Sequence, residues 1–258
     1  MPNQEHPIFR KKPRKSAKLW RYLTFAKLAA LFQSSAVHFT RVDQFDDHFE
    51  GAWPKQDLKF FKEFVRGFDV PEFTRAMRRA AVASCWIEMP HESAAMWRLY
   101  CPGSEGIAIT TTFGKLQAAV HTAADTRLAH DGWLSGVGRV GYVDHANRGL
   151  IDLQAPSSPI PNSLAPFMIK NVSYEHEKEV RALVFAKPNF EINPAGWDLE
   201  IDTSNFIDEI IVTPFAHDWF HSTVVDLAMR YELREKVTRS VLTPDLFYMR
   251  DIEGESGN

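Results

Sequence analysis

The stretch Glu177-Lys178-Glu179-Val180-Arg181 runs directly into the apolar segment Ala182-Leu183-Val184-Phe185-Ala186. A short apolar run entered through alternating charge reads as a half-buried strand. Side chains two apart on a strand point the same way, so Glu177, Glu179 and Arg181 are expected to share one face of a sheet. A carboxylate pair beside a guanidinium on a rigid strand either holds a site or lines a solvated sheet surface with local ion pairs. Such a strand demands partners, and the rest of the chain supplies them.

Lys18 to Leu23 reads as a first strand, followed by helical spacing at Phe25, Leu28, Ala29, Leu31 and Phe32. Ser34-Ser35 breaks that helix, and Ala36 to Thr40 reads as a short second strand ahead of an acidic loop, Asp43 to Gly51. Residues 55–68 and 71–80 are expected to be helices, with Pro71 opening the second, where its missing N–H costs little. Ala81 to Ile87 is a strand, Ser93 to Tyr100 a short helix stopped by Pro102-Gly103, and Gly106 to Thr112 a β-branched strand before a helix at 113–122. Val137 to Val143 is a strand, Pro156 to Pro161 a surface loop, and Ser163 to Lys170 a helix. Ile207 to Val212 is a strand, His217 to Tyr231 an amphipathic helix, and Val237 to Leu242 a last strand. No internal repeat is visible. Strands and helices mix irregularly, so the expected fold class is α+β, a single domain with a mixed or antiparallel sheet core and peripheral helices.

The 258 residues suffice for one sizeable core. Apolar content of 45% and charged content of 24% are those of an ordinary globular chain. No apolar run is long enough to span a bilayer. Two cysteines, Cys85 and Cys101, make no disulfide framework, so a cytoplasmic setting is the expectation and both thiols are expected in the core. A net charge of −3 gives no global attraction to nucleic acid. The basic residues at 10–18 are a local exception. Residues 1–17 are expected to form a flexible basic arm, 18–250 the domain, and 251–258 a flexible tail.

Familiar catalytic patterns are missing: no P-loop, no G-x-G-x-x-G after a strand, no G-x-S-x-G and no H-E-x-x-H. His217 and His221 have i,i+4 spacing but no third ligand in sight, so no metal site is assigned. Three segments hold the polar and aromatic candidates. The first is Leu19-Trp20-Arg21-Tyr22-Leu23-Thr24, whose Arg21 otherwise snorkels from an edge strand to water. The second runs from Ser84-Cys85-Trp86 through Met96-Trp97-Arg98-Leu99-Tyr100 to Gly106-Ile107-Ala108-Ile109. Trp97 and Tyr100 are i,i+3 neighbours there, equally suited to a core pair. The third is the Glu177-x-Glu179 strand.

These segments resemble a large bacterial family catalogued as domain of unknown function 2971. The resemblance is carried by LWRYLTFAKLAALFQSSAVHFTRVDQFDDHFEG, MWRLYCPGSEGIAI and YEHEKEVRALV, and it covers most of the chain. It departs at Asp46-Asp47-His48, where that family carries Asn-Asp-Pro. The family name implies no activity. More distantly, the order of elements is similar to the ADP-ribosyltransferases, whose sheet is split. In that superfamily a first strand carries His or Arg, a middle strand leads to a polar or aromatic residue, and a later strand carries the catalytic Glu. Arg21, then Ser84 with Trp97 and Tyr100, then Glu179 stand in those places.

This second resemblance implies an enzyme that cleaves NAD and transfers ADP-ribose to an acceptor, or hydrolyses NAD. Loss of nicotinamide builds oxocarbenium-like charge on the ribose, which a fixed carboxylate stabilises. Glu179 is implied for that role and Glu177 for activating the acceptor. Arg21, with Tyr22 and Ser84, is implied to hold the pyrophosphate or ribose, because a guanidinium donates two parallel hydrogen bonds. Trp97 or Tyr100 is implied to stack on nicotinamide, and Arg181 to orient Glu179. Lys170 and Tyr174 lie close enough in sequence to line the rim. NAD or a related nucleotide is the expected partner, with a protein or nucleic acid possible as acceptor and no membrane. Three other readings stay open. One is a nucleotide-binding module that needs Arg21 and the aromatics but not Glu179. The second is a nuclease or other phosphodiester enzyme in which Asp46, Asp47, Glu50, Glu177 and Glu179 hold a divalent metal, in a defence or toxin setting. The third is a structural or interaction protein within a defence or toxin cassette.

Overall fold

The computed structural model describes residues 7–9, 11–47, 49–64, 67, 69–124, 134–147, 149–150, 164–186 and 192–242. Its centre is a mixed sheet built on β1 (Lys18–Thr24), β3 (Ala81–Glu88) and β4 (Gly106–Thr112). β4 leads outward to β10 (Glu209–Val212) and then to β11 (Val237–Arg239), which pairs parallel to β10. On the other side β3 leads to β2 (Ala36–Arg41) and β9 (Trp197–Glu200), and also to β8 (Glu179–Phe185) and β5 (Leu134–Arg139). The α+β reading is met.

The sheet forks at β3. β8 pairs with β3 along its whole length, from Ala81↔Phe185 to Ile87↔Glu179. The opposite edge of β3 is therefore shared by two strands. β2 takes its first half, Arg41↔Val82 and Thr40↔Ala83, and β1 takes its end, Trp20↔Ile87 and Leu19↔Glu88. Between these pairings β1 and β2 diverge. Arg21 bridges the gap, its Nη1 donating to Ser84 Oγ at 2.9 Å and its Nη2 to the His38 carbonyl at 2.8 Å.

One face of the sheet carries the main core. Leu19, Leu23, Val82, Trp86, Ile107, Ile109, Val180, Ala182, Val184, Ile210 and Val212 point into it. Three helices cover it: α1 (Phe25–Ser34), α5 (Phe113–Ala123) and α7 (Asp218–Met229). Each starts where its sequence allows; Thr24 and Thr112 cap the first two by accepting from the backbone N–H of Lys27 and Lys115. The opposite face holds two separate apolar clusters. One gathers Trp20, Ile87, Met96, Trp97, Ala108 and Ile211 under α4 (Ala94–Tyr100). The other gathers Phe9, Ala81, Ala83, Phe167, Leu183 and Phe185. α2 (Lys55–Phe64) and α3 (Val70–Arg79) lie beyond, and a short helix α6 (Thr203–Phe206) precedes β10.

Several boundaries differ from the sequence reading. The expected strand Val137 to Val143 is interrupted at Val140: β5 ends at Arg139, and β6 (Gly141–Val143) leaves to pair parallel with β7 (Ile169–Asn171). The expected helix 163–170 is a 3-10 turn, Ala165–Met168, that feeds β7. The loop 156–161 and the tail 251–258 lie outside the described residues. No helix among the described residues is long and apolar enough to cross a membrane.

The described part of the expected basic arm is packed. Phe9 is 3% exposed and lies so close to Gly136 that a Cβ there would meet its ring at 2.4 Å. Pro13 is buried, and the carbonyls of Lys11 and Lys15 accept from the N–H of Arg139 and Gly114. Aromatic anchoring, invisible in a basic composition, is the reason. Phe9→Ala is expected to cost about 3 kcal/mol in urea unfolding, the range for emptying a buried aromatic site. An unchanged midpoint would return this segment to a free arm.

Candidate functional site

Between the two apolar clusters of the second face lies a buried group of ionised side chains. Glu179 opens β8 and points to this face with Arg181, Leu183 and Phe185, while Val180 and Ala182 point to the main core. Arg181 Nε donates to Glu179 Oε1 at 2.6 Å, and its Nη1 to the Phe167 carbonyl at 2.8 Å. Its Nη2 pairs with Glu50. Lys170, on β7, reaches three carboxylates: Glu177 at 2.7 Å, Glu50 at 3.2 Å and Glu179 at 3.4 Å. All five side chains are buried, with three carboxylates against two cations.

The backbone places Glu177 by a route that alternation does not predict. It ends a 3-10 segment, Val172–Glu177, and Lys178 follows in the left-handed region at φ 46°. Both carboxylates still reach Lys170. The left-handed residue, not a regular strand, turns them to the same side. Glu177 Oε1 accepts from the Tyr100 hydroxyl at 2.8 Å, and the Tyr142 hydroxyl accepts from the Glu179 N–H at 2.7 Å.

An aromatic wall adjoins this group. Tyr22 stacks near-parallel on Tyr100, centroids 6.1 Å apart at 17°, and meets Trp97 edge-on at 4.9 Å. The Trp97 indole donates to Glu92 at 2.9 Å, and Glu92 also accepts from Ser240 Oγ and the Val241 N–H. Trp97 is fully buried, whereas Tyr100 is 44% exposed, so Tyr100 is the member that meets solvent.

Burial works against every charge here, and pairing decides the outcome. For Glu179 burial pushes the carboxyl up, but the charge and hydrogen bond of Arg181, with the charge of Lys170, outweigh it and bring it to about 2. Burial pushes Lys170 and Arg181 down, and the surrounding carboxylates carry both above their ordinary values. Burial, then the charge of Glu177, raises the Tyr100 hydroxyl, and burial raises Cys85, which lies against Glu179. Cys85 is half-buried beside the ion group rather than a plain core thiol; Cys101 is buried as expected.

Of the candidate residues, Tyr22, Trp97, Tyr100, Glu177, Glu179 and Arg181 come together on this face. Arg21 and Ser84 do not. Arg21 lies on the side of Leu19 and Leu23, and its guanidinium sits 5.6 Å from the Trp86 ring, so β3 separates it from Glu179. The expected direct convergence of Arg21 with Glu179 is thus absent, because the odd positions of β1 face the main core whereas the odd positions of β8 face away from it. Instead Arg21 lines a cavity of about 700 Å³ at the fork, with Lys27, Gln33, His38, Thr40 and Asp198. His38 Nδ1 lies 2.7 Å from Asp198 Oδ1 there. Tyr22 also borders this cavity. Burial lowers Arg21 to about 10, which leaves it charged at neutral pH. A larger cavity of about 810 Å³, between α5 and the segment 200–206, contains none of the candidates.

Sequence reasoning placed Lys170 only at the rim and Glu50 only in a metal-holding set. Glu50, Glu177 and Glu179 do gather, and the cation at their centre is the Lys170 ammonium. Asp47 instead accepts from the Phe49 N–H in its own loop. Among the described residues no group of three or more His, Cys, Asp or Glu is arranged to hold a metal ion.

No family model matches the chain, the one resembled by its sequence included, and no curated protein matches it. Solved structures of Thermus sp. 2.9 DarT are similar. Its complex with carba-NAD+ shares 13% identity at a TM-score of 0.38, covering 89% of this chain and 98% of that one. Its complex with NAD+ shares 11% at 0.37, covering 90% and 98%. Its complex with ADP-ribosylated ssDNA shares 11% at 0.39, covering 91% and 98%. Likeness at this level assigns neither ligand nor residue role.

The Glu179 carboxyl titrates at about 2 in the folded chain, below its ordinary 4.5. Its ionisation therefore favours the folded state above the ordinary value, and that contribution is lost as the pH falls toward 2. Thermal melts between pH 5 and pH 2 are expected to show a shallower loss of stability for Glu179→Gln than for the wild type. Parallel slopes would mean that Glu179 is not held ionised by Arg181.

Proposed function

We propose that this chain cleaves NAD at the nicotinamide–ribose bond and transfers ADP-ribose to an acceptor, with water as the default acceptor. The observation that carries the reading is the position of Tyr22. It borders the cationic fork cavity on one side and stacks on Tyr100, whose hydroxyl bonds to Glu177, on the other. In this reading an extended dinucleotide runs past Tyr22 at the fork. Its pyrophosphate lies in the cavity, where Arg21 and Lys27 supply positive charge, and its cationic nicotinamide lies against Tyr22 and Tyr100.

The chemical end then falls beside a group with one negative charge in excess. That excess favours the positive charge that develops on the ribose as nicotinamide leaves, and it acts strongly because the group is buried. Glu179 is immobile, held by Arg181 and Lys170, and contributes a fixed field. Glu177 lies nearer solvent through its bond to Tyr100, and it accepts the proton of the incoming acceptor. Arg181 orients the Glu179 carboxylate, and the Tyr142 hydroxyl accepts from the Glu179 backbone N–H. Trp97 backs Tyr22, so the aromatic wall does not collapse into the sheet.

A second reading has its own observation. The fork cavity of about 700 Å³ gathers Arg21, Lys27, His38 and Asp198 without any member of the ion group. A binding module would use it without the ion group. The two readings separate on Glu177→Gln and Glu179→Gln. Under the transferase reading each lowers nicotinamide release by about a hundredfold, the size of a lost electrostatic contribution at a reacting centre. Under the binding reading neither protein releases nicotinamide and NAD affinity is unchanged. Melting temperatures measured alongside separate lost chemistry from lost fold. Arg21→Ala is expected to weaken NAD binding by about 1–3 kcal/mol by calorimetry, the size of a lost charge-assisted contact. Unaltered affinity would remove the fork cavity from the path.

A further inference from the structure

We infer that the acceptor at this site is electrically neutral, an O–H or N–H group rather than a guanidinium or a carboxylate, and that Lys170 imposes this choice. The inference rests on the transferase reading and deepens it by naming the acceptor class. A guanidinium acceptor needs carboxylates with open lone pairs facing the reaction centre. Here the ammonium of Lys170 has three N–H donors and three carboxylates around it, Glu177, Glu50 and Glu179. Arg181 takes a second oxygen of Glu179 and pairs with Glu50. The place that a cationic acceptor would fill is already taken by a resident cation, 9% exposed and fixed on β7.

An anionic acceptor meets the opposite obstacle. The group carries three carboxylates against two cations, so a fourth carboxylate enters against net repulsion in a poorly screened site. What the site does admit is visible in the structure. Glu177 Oε1 accepts one hydrogen bond from a neutral hydroxyl, that of Tyr100, at 2.8 Å. Tyr100 is half exposed, and its hydroxyl is the neutral donor that Glu177 already receives. The step balances without a further reagent. The acceptor O–H or N–H bond breaks and its proton passes to Glu177. The acceptor atom bonds to the ribose carbon, and the carbon–nitrogen bond breaks with its electron pair leaving on nicotinamide.

The test compares the wild type with Lys170→Met and with the pair Lys170→Met/Glu50→Gln. The pair removes one cation and one anion, so the net charge of the group is kept and Glu177 and Glu179 are freed. Agmatine serves as the guanidinium probe. Titrated calorimetrically without NAD, it is expected to bind the folded double variant at least about tenfold more tightly than the wild type, the factor that 1.4 kcal/mol provides. With NAD present, agmatine leaves nicotinamide release by the wild type unchanged. In the double variant it raises release and yields ADP-ribosyl-agmatine by mass spectrometry. Agmatine binding by the wild type as tight as by the double variant, ADP-ribosyl-agmatine formed by the wild type, or a folded double variant that ignores agmatine would each overturn the assignment of Lys170. Absence of nicotinamide release from every protein, with the binding contrast intact, would instead overturn the transferase reading and leave Lys170 as the group that excludes cations.

Discussion

Three glutamates and two cations, all withdrawn from water, hold one face of this molecule in place. Taking such charges out of solvent costs several kcal/mol apiece, and only near-complete mutual pairing offsets it. The structure meets that requirement with residues from four separate segments: the acidic loop at Glu50, β7 at Lys170, the 3-10 turn at Glu177, and β8 at Glu179 and Arg181. None can move without stranding a partner. The group therefore fixes loops that apolar packing alone leaves loose, since the two apolar clusters on this face are small and separate.

The second organising feature is the divided edge of β3. One strand cannot pair with two neighbours over the same residues, so β1 and β2 part company and leave backbone groups unsatisfied between them. Arg21 answers this at the His38 carbonyl while keeping its charge beside the cavity. The same side chain is both a clasp and a source of positive potential. Tyr22, its neighbour in sequence, points the other way and meets the ion group's aromatic rim. Adjacent residues on one strand thus serve opposite faces.

Much of the sheet was legible in the sequence. The strand readings at 18–23 and 81–87, the β-branched run at 106–112 and the spacing of Leu28, Leu31 and Phe32 each pointed to the element that forms. What failed was local ambiguity. Pro166-Phe167-Met168 has the composition of a helix start and the geometry of a turn into a strand. Trp197–Glu200 alternates over four residues only, too short a run to stand out, and it passed unnoticed. The site divides in the same way. The aromatic and acidic members carried a signal in their spacing. Lys170 was legible only as a rim residue near the glutamates, and Glu50 only as a metal ligand, because the cations that pair with Glu50 lie far away along the chain. The left-handed Lys178 was equally silent, since lysine is not a residue that advertises positive φ.

Phe9 closes against Gly136 and joins Leu183 and Phe185 in one cluster, and Lys18 pairs with Glu209 across 191 residues. The residues ahead of β1 and at its start therefore complete their contacts only when segments from the second half of the chain are present. Pairing between segments this distant is intrinsically slow, and strand edges stay open until it is complete.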